Sequence, residues 1–95
     1  MSFADEYRKK LVSADEAVRI VKSGDWIDFG SFCGQVRTLD KALAKRKDEL
    51  SDVKIWTCVN PYPTEVNVAD PEGDSFIWHS WHMSGADRKV AKTKA

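Results

Sequence analysis

Hydrophobic and polar positions in the first half of the chain switch between helical and strand-like spacing. Ser13-Ala14-Asp15-Glu16 has the form of a capping box, and apolar residues follow at helical spacing as far as Val21. Residues 25–31 have the composition of a short strand, and a second helix is predicted over about 39–50. Residues 53–59, rich in β-branched and aromatic side chains, give the strongest strand signal.

The other segments carry weaker signals. They predict a short polar helix over 3–10, turns or loops over 60–64 and 69–74, and a strand or ordered loop over 76–83. A basic helix is predicted from Arg88 to the end, capped by Ser84-Gly85-Ala86-Asp87.

The order strand, helix, strand predicts the fold class. Its connections are too long for a hairpin, so the strands are expected to be parallel and joined by a right-handed crossover. The predicted fold is α/β, with a βαβ core in an open, mainly parallel sheet with flanking helices. Loops that follow parallel strands emerge at the same carboxyl edge, where ligands commonly bind. Residues 30–35 and 60–65 are therefore expected to lie close together.

The loop over residues 30–35 has the composition of a binding loop. Gly30 and Gly34 would allow backbone angles that other residues avoid. A helix beginning near Thr38 would offer unpaired N–H groups to an anion. Gln35 is either an amide donor to a carboxylate or carbonyl oxygen, or a surface turn residue. These features predict an acidic or phosphorylated ligand.

Several other side chains invite a chemical role. Cys33 precedes a helix start that could stabilise a thiolate, although a small loop residue is the favoured interpretation. His79 and His82 have the spacing of a metal pair, but no third ligand accompanies them, so no metal site is predicted. Trp78 and Trp81 are expected to cover the core.

Charged residues carry no context that singles out an acid, base or nucleophile. The basic end (Arg88, Lys89, Lys92, Lys94) is expected to be a solvated helix face, with phosphate binding as the alternative. Three acids are placed in loops: Glu65, Asp70 and Glu72.

Composition narrows the class of protein. Fifteen basic and fifteen acidic residues cancel, so nothing directs the chain to nucleic acid or an anionic membrane. No apolar run approaches the ~20 residues that span a bilayer, and residues 1–10 lack the apolar stretch of a secretory signal. Cys33 and Cys58 form no spaced pattern. A small cytoplasmic domain with two reduced thiols is expected.

The chain resembles the extreme N-terminus of the acetyl-CoA hydrolase/transferase family, and within it the butyryl-CoA:acetate and 4-hydroxybutyrate CoA-transferases. The matching residues run in order over essentially the whole chain: 10–18, 23–30, Gly34-Gln35, 39–44, 78–85 and Arg88-Lys89. Members of the family are several times longer. Residues 1–95 are therefore expected to be a truncated part of an N-terminal domain.

The resemblance implies a ping-pong transfer of coenzyme A between a thioester and a carboxylate, through a glutamyl-CoA thioester. The family's catalytic glutamate has no counterpart here, so no catalytic residue is assigned. Substrate-binding positions implied by the resemblance are Gly30, Gly34, Gln35, Ser80 and His82. The expected partners are an acyl-CoA, a short-chain carboxylate, the missing C-terminal part and a possible second copy. No resident cofactor is expected, since coenzyme A is part of the substrate.

Two alternatives stay open. The first is a thioester hydrolase of the same family, with water as acceptor. The second is a freestanding binding or assembly module that uses the aromatic block at 76–83. Val36-Arg37 also stand where family members often carry a proline, which leaves the acceptor acid open.

Overall fold

A computed structural model describes residues 2–94. Met1 and Ala95, the last residue of the predicted basic helix, lie outside the described residues. The α-helices are α1 Phe3–Lys10, α2 Ala14–Ala17, α3 Thr38–Ala44, α4 Glu65–Ala69 and α5 Gly85–Thr93. The strands are β1 Trp26–Ser31, β2 Val53–Cys58 and β3 Phe76–Ser80. Three 3-10 turns complete the set: Val18–Ile20, Phe32–Gly34 and Lys47–Glu49.

The three strands form one parallel sheet in the order β1-β2-β3. Ile27 pairs with Ile55, and Ile55 pairs with Trp78, so these residues share one face of the sheet. The predicted α/β fold, with a parallel sheet and flanking helices, is confirmed.

The hydrophobic core lies between one sheet face and helices α2, α3 and α4. Its buried members are Val18, Phe29, Ala42, Leu43, Leu50, Val53, Ile55, Val66 and Phe76. We call this the inner face of the sheet. The alternate strand residues, on the outer face, remain largely exposed.

Both central helices are shorter than their apolar spacing predicts. The helix predicted over 39–50 ends at Ala44, and the chain continues through a turn in which the Arg46 N–H donates to the Leu43 carbonyl at 2.9 Å. The segment after α2 changes to a 3-10 turn at Val18. Arg46 Nη1 joins the two segments by donating to the carbonyls of Val18 and Val21 at 2.6 and 2.9 Å.

Helix α4 is absent from the sequence prediction, which places Glu65 in a loop. Asp40, from α3, accepts the backbone N–H groups of Glu65 and Val66 at 2.7 and 3.0 Å. These are N–H groups that a helix start leaves without intrahelical partners. The cap comes from a residue 25 positions away in sequence, so the local sequence does not predict the helix.

The remaining helix predictions are confirmed with small shifts. Helix α1 spans the predicted residues, and Ser13 Oγ accepts the N–H of Glu16 as an N-cap should. Ser84 and Asp87 form the predicted capping box, and α5 begins at Gly85, before the predicted Arg88.

Candidate functional site

A cavity of about 330 Å³ opens at the carboxyl ends of β1 and β2, on the outer face. This is the edge at which ligands of parallel sheets commonly bind, and the volume lies within the range of small-molecule sites. The lining residues are Asp28, Ser31, Trp56, Thr57, Cys58 and Trp81.

The backbone is strained immediately after both of these strands. Phe32 follows β1 with φ 52°, and Val59 follows β2 with φ 49°. A positive φ is unfavourable for bulky and β-branched residues and is worth about 1–3 kcal/mol of strain at each site. Strained residues of this kind cluster at functional sites, which supports the cavity between them as the candidate site.

Gly30 is required by its conformation, whereas Gly34 is not. Gly30 has φ 81°, and a Cβ there would stand 2.9 Å from the Gly34 carbonyl oxygen. Its N–H donates to Asp28 Oδ1 at 2.8 Å. Gly34 has no positive φ, and a Cβ there would meet nothing within 4 Å. The prediction that both glycines serve special backbone angles is right for Gly30 and wrong for Gly34.

Gln35 joins the two loops that the sequence places together. Its Nε2 donates to the Tyr62 carbonyl at 3.0 Å, and its Oε1 accepts the Tyr62 N–H at 3.2 Å. The Arg37 guanidinium lies 4.0 Å from the centroid of the Tyr62 ring, in cation–π geometry. The predicted proximity of residues 30–35 and 60–65 is confirmed. Both polar atoms of the Gln35 side chain are used in that contact.

Ser80 is the last residue of β3, and His82 lies in the segment that continues along β2 beyond it. Trp81 donates its N–H to the Thr57 carbonyl at 3.0 Å, and Val59 donates to the His82 carbonyl at 2.9 Å. Ser80 Oγ donates to that same His82 carbonyl at 3.1 Å. The segment is therefore fixed beside the end of β2, while the His82 side chain is exposed.

None of the five predicted substrate-binding residues, Gly30, Gly34, Gln35, Ser80 and His82, lines this cavity, but their neighbours Ser31 and Trp81 do. Ser80 lines a second cavity of about 330 Å³ that shares Trp56 and Trp81 with the first. The contact of the five residues with a substrate stays a prediction.

Trp81 does not cover the core. It is 64% exposed and stacks on Trp56, with ring centroids 5.3 Å apart and planes 19° apart. Trp78 is half-buried on the inner face, and its indole N–H donates to Thr57 Oγ1 at 2.8 Å. The core prediction is thus wrong for Trp81, because strand alternation places residues 78 and 81 on opposite faces.

Three buried aspartates, Asp40, Asp70 and Asp87, have carboxylates that accept hydrogen bonds from backbone or amide N–H groups. Burial raises the pKa of Asp40 to about 6, although its two backbone N–H donors act in the opposite direction. Burial also raises the pKa of Asp70, but N–H groups of residues 74–76 outweigh it and hold that pKa below its ordinary value. Asp87 is buried and accepts from the N–H of Asn60, the Asn60 amide and the N–H of Ser84. Each carboxylate therefore stabilises a turn or helix start.

The basic end is not uniformly solvated. Lys89 and Lys92 are exposed as predicted, but Lys94 is half-buried and donates to the Asp70 carbonyl at 2.8 Å. Burial lowers the pKa of Lys94. The C-terminal turn of α5 is thereby tied to the loop before β3.

The two cysteines differ in exposure. Cys33 is exposed, Cys58 is half-buried against the cavity, and both are free. Within residues 2–94, no three metal-ligating side chains converge. None of the helices in that range is long and apolar enough to cross a membrane.

Comparison with known proteins identifies the family. Residues 1–93 match the acetyl-CoA hydrolase/transferase N-terminal domain, which is nearly the whole chain. The chain therefore belongs to this family, as the sequence resemblance predicts.

The curated relatives are coenzyme A transferases. The chain is 49% identical over 92 residues to the butyryl-CoA:acetate CoA-transferase of Anaerostipes caccae, covering 97% of this chain and 21% of that protein. It is 51% identical over 85 residues to the probable butyrate:acetyl-CoA coenzyme A-transferase of Syntrophomonas wolfei, covering 90% and 19%. The chain thus spans about a fifth of the length of these relatives.

Solved structures confirm the fold. The crystal structure of RipA from Yersinia pestis superposes with a TM-score of 0.77 at 20% identity, covering 97% of this chain and 22% of that one. The structure of a RipA mutant gives a TM-score of 0.76 at 21% identity, with the same coverage. At this identity the likeness concerns the fold alone.

Sequence reasoning missed the cavity wall itself. Asp28 and Trp56 lie opposite each other across β1 and β2, and Cys58 is the last residue of β2. Alternation along each strand assigns them to the same side of the sheet, but only the strand register brings them together. Register is not visible in either strand taken alone.

Proposed function

We propose that this chain is the N-terminal part of a CoA-transferase that moves coenzyme A between a short-chain acyl-CoA, such as butyryl-CoA or 4-hydroxybutyryl-CoA, and acetate. The observation that carries the proposal is the family match over residues 1–93, together with the two transferase relatives. The cavity at the carboxyl edge of the sheet supports it, since it offers an apolar aromatic wall beside polar groups.

The proposed chemistry proceeds through a glutamate outside this chain. Its carboxylate attacks the acyl thioester carbonyl and expels the coenzyme A thiolate, which leaves a mixed anhydride. The thiolate then attacks the glutamyl carbonyl, releasing the free acid and forming a glutamyl-CoA thioester. Acetate attacks this thioester, and the thiolate returns to the acetyl carbonyl to give acetyl-CoA. Asp40, Asp70 and Asp87 are poor candidates for the nucleophile, because each accepts at least two backbone or amide N–H bonds.

This part of the enzyme would shape the acyl or carboxylate pocket. The stacked rings of Trp56 and Trp81 provide an apolar wall for a short acyl chain. The loops that carry Gly30, Gly34 and Gln35 on one side, and Ser80 and His82 on the other, would position the carboxylate end. The free thiols Cys33 and Cys58 fit a reducing cytoplasm.

The test uses the full-length protein. Acetate-dependent formation of acetyl-CoA from butyryl-CoA is the expected result, with transient labelling of one glutamate by coenzyme A. Release of free coenzyme A without an acceptor would favour the hydrolase instead. A stop codon directly after Ala95 in the gene, with binding but no turnover, would favour the freestanding module.

A matched variant pair ties activity to the cavity. Trp81→Ala should raise the KM for butyryl-CoA, since Trp81 lines the cavity and is 64% exposed. Tyr7→Ala, which alters an exposed ring on α1, is the control and should leave that KM unchanged. Equal effects of the two substitutions would remove the cavity from the proposal.

A further inference from the structure

The outer face of the parallel sheet is bare. It carries Trp26 and Asp28 of β1, Lys54 and Trp56 of β2, and Ile77 and His79 of β3, continued by Trp81. Trp26 is 58% exposed, Ile77 40% and Trp56 38%. Parallel sheets occur almost only with both faces covered. In residues 2–94 only the inner face is covered.

The rings on this face form one continuous surface. The centroid of the Trp26 ring lies 4.8 Å from the centroid of the His79 ring and 5.9 Å from that of Trp56, and Trp56 in turn stacks on Trp81. Side chains that are already packed against one another lose little further freedom on binding. Tryptophan is also among the residue types most enriched at the centres of protein interfaces.

Lys54, the basic side chain of this face, is already paired. Lys54 Nζ lies 2.8 Å from Asp52 Oδ2 and donates to the Gly24 carbonyl at 3.3 Å. Its ammonium therefore stands at the rim and its aliphatic stem crosses the face. Asp28 Oδ1 accepts the Gly30 N–H, and Asp28 lines the cavity at the end of the face. A partner can cover Lys54 without burying an unpaired charge, which would be strongly unfavourable, and it would need to offer Asp28 a hydrogen-bond donor.

We propose that the outer face is the docking surface for a helical segment of the same polypeptide that follows residue 95 in the full-length protein. The inference rests on the proposed function, in which this chain is the first part of a longer transferase. The length of the relatives indicates that such a segment exists, since the matched region is only about a fifth of their length. A helix is the expected element because crossover connections of parallel sheets cover the faces with helices.

This docking would also complete the candidate site. The cavity is bordered by Trp56 and Trp81, which belong to the outer face, and it is open to solvent on at least one side. A segment packed on the outer face would close that side. The remainder of the protein would then contribute a wall as well as the nucleophile.

The test compares two proteins. One is the 95-residue chain, and the other is a chimera in which residues 1–93 replace the matching fifth of the Anaerostipes caccae transferase. Hydroxyl-radical oxidation of Trp26, Trp56 and Trp81, read by mass spectrometry, should be at least about fivefold slower in the folded chimera. Urea-unfolded chimera is the control, and its tryptophans should oxidise at the rate of the unfolded chain.

A variant pair adds a second readout. Trp56→Lys should lower the Tm of the chimera, because the chimera would bury the new charge. Trp56→Phe, which keeps an apolar ring, should lower it much less.

Three results would overturn the inference: equal oxidation rates in chain and chimera at a concentration where the isolated chain is monomeric, protection of the chimera that is lost when it is diluted to a monomer, or protection of the isolated chain by coenzyme A alone. The second result assigns the face to another copy, and the third to the ligand. CoA transfer by the chimera is measured separately. Activity without protection sinks only this inference, and protection without activity sinks only the proposed function.

Discussion

Gln35 and Tyr62 are joined by two hydrogen bonds across 27 positions of sequence, one in each direction between the Gln35 amide and the Tyr62 backbone. The contact holds the loop after β1 against the loop after β2. These two loops follow the strands whose carboxyl ends carry the candidate cavity, although Gln35 itself does not line it.

Replacing Gln35 with alanine should loosen the loop that carries Tyr62. The loss of two partly exposed neutral hydrogen bonds should destabilise the loop by about 1 kcal/mol. Hydrogen exchange at the Tyr62 N–H should then become about fivefold faster. In the full-length enzyme the carboxylic acid half-reaction should weaken. Arg37→Ala, which removes only the cation–π contact, is the control. Unchanged exchange in the Gln35 variant would contradict the role given to this side chain.

Gly30→Ala should destabilise the chain by at least about 2 kcal/mol, through left-handed strain and the clash with the Gly34 carbonyl. Gly24 provides a control for strain alone, since it has φ 90° and an added Cβ meets nothing within 4 Å. Gly24→Ala should cost about 1 kcal/mol. Gly34→Ala should be neutral or slightly stabilising. Urea midpoints at equal m-values measure all three. Equal losses at positions 30 and 34 would restore the original two-glycine prediction.

Asp40 makes stability fall as pH rises from about 4 to 6. Its pKa is raised by burial from 3.8 to about 6, so the folded state binds the proton more tightly than the unfolded state. This contribution is fully present below pH 3.8 and is lost as pH passes 6. At about 1.4 kcal/mol per pH unit, it amounts to at most about 3 kcal/mol. The free energy of unfolding of the wild type, minus that of Asp40→Asn, should therefore fall as the pH rises across that window.

Asp70 is the control of opposite sign. Its pKa is held below 3.8, so its contribution is present above that value and is lost as pH falls. The difference between wild type and Asp70→Asn should shrink toward low pH. If the two stability differences changed with pH in the same direction, the pKa values of the two carboxylates would not be shifted in opposite directions.

Alkylation of Cys58 should inactivate the full-length enzyme, because Cys58 lines the cavity and an added group would occupy it. Butyryl-CoA should slow the inactivation. The matched variant is Cys58→Ala, which should remain active after the same treatment. Inactivation of both proteins at one rate would assign the effect to another cysteine.

The 95-residue chain on its own should associate or melt without a sharp transition. Its outer face and the edge strands β1 and β3 expose apolar and hydrogen-bonding groups. Trp56→Lys should reduce association in sedimentation experiments. Phe3→Lys, on an α1 side chain that is 92% exposed, should not. A sharply melting monomer would refute the expectation.

Much of the fold was predictable because it is encoded locally. Alternating or β-branched residues mark β1 and β2, and Ser84 with Asp87 marks the start of α5. The connection lengths then imply parallel strands, and parallel strands bring residues 30–35 and 60–65 to one edge. Each step uses neighbours in sequence or a general rule of sheet topology.

The errors lie where a distant side chain decides the local structure. Arg46, just beyond the end of α3, binds carbonyls beyond α2, and Asp40 caps the start of α4 from another helix. Trp81 stacks on the outer face although its segment has the composition of a core strand. None of these contacts can be recognised from the residues that are adjacent in sequence.

The sequence by itself determined the family, the parallel α/β sheet and the proximity of the two loops. Backbone propensity, apolar spacing and connection length are properties of short segments, and they are sufficient for the sheet and the loops, while the family follows from the order of matching residues. Only the tertiary structure decided that Gln35 holds Tyr62, that Asp28, Trp56 and Cys58 line one cavity, and that residues 2–94 cover one face of the sheet and leave the other exposed. Those outcomes depend on strand register and on which polar groups meet after packing, and neither is fixed until the chain has folded.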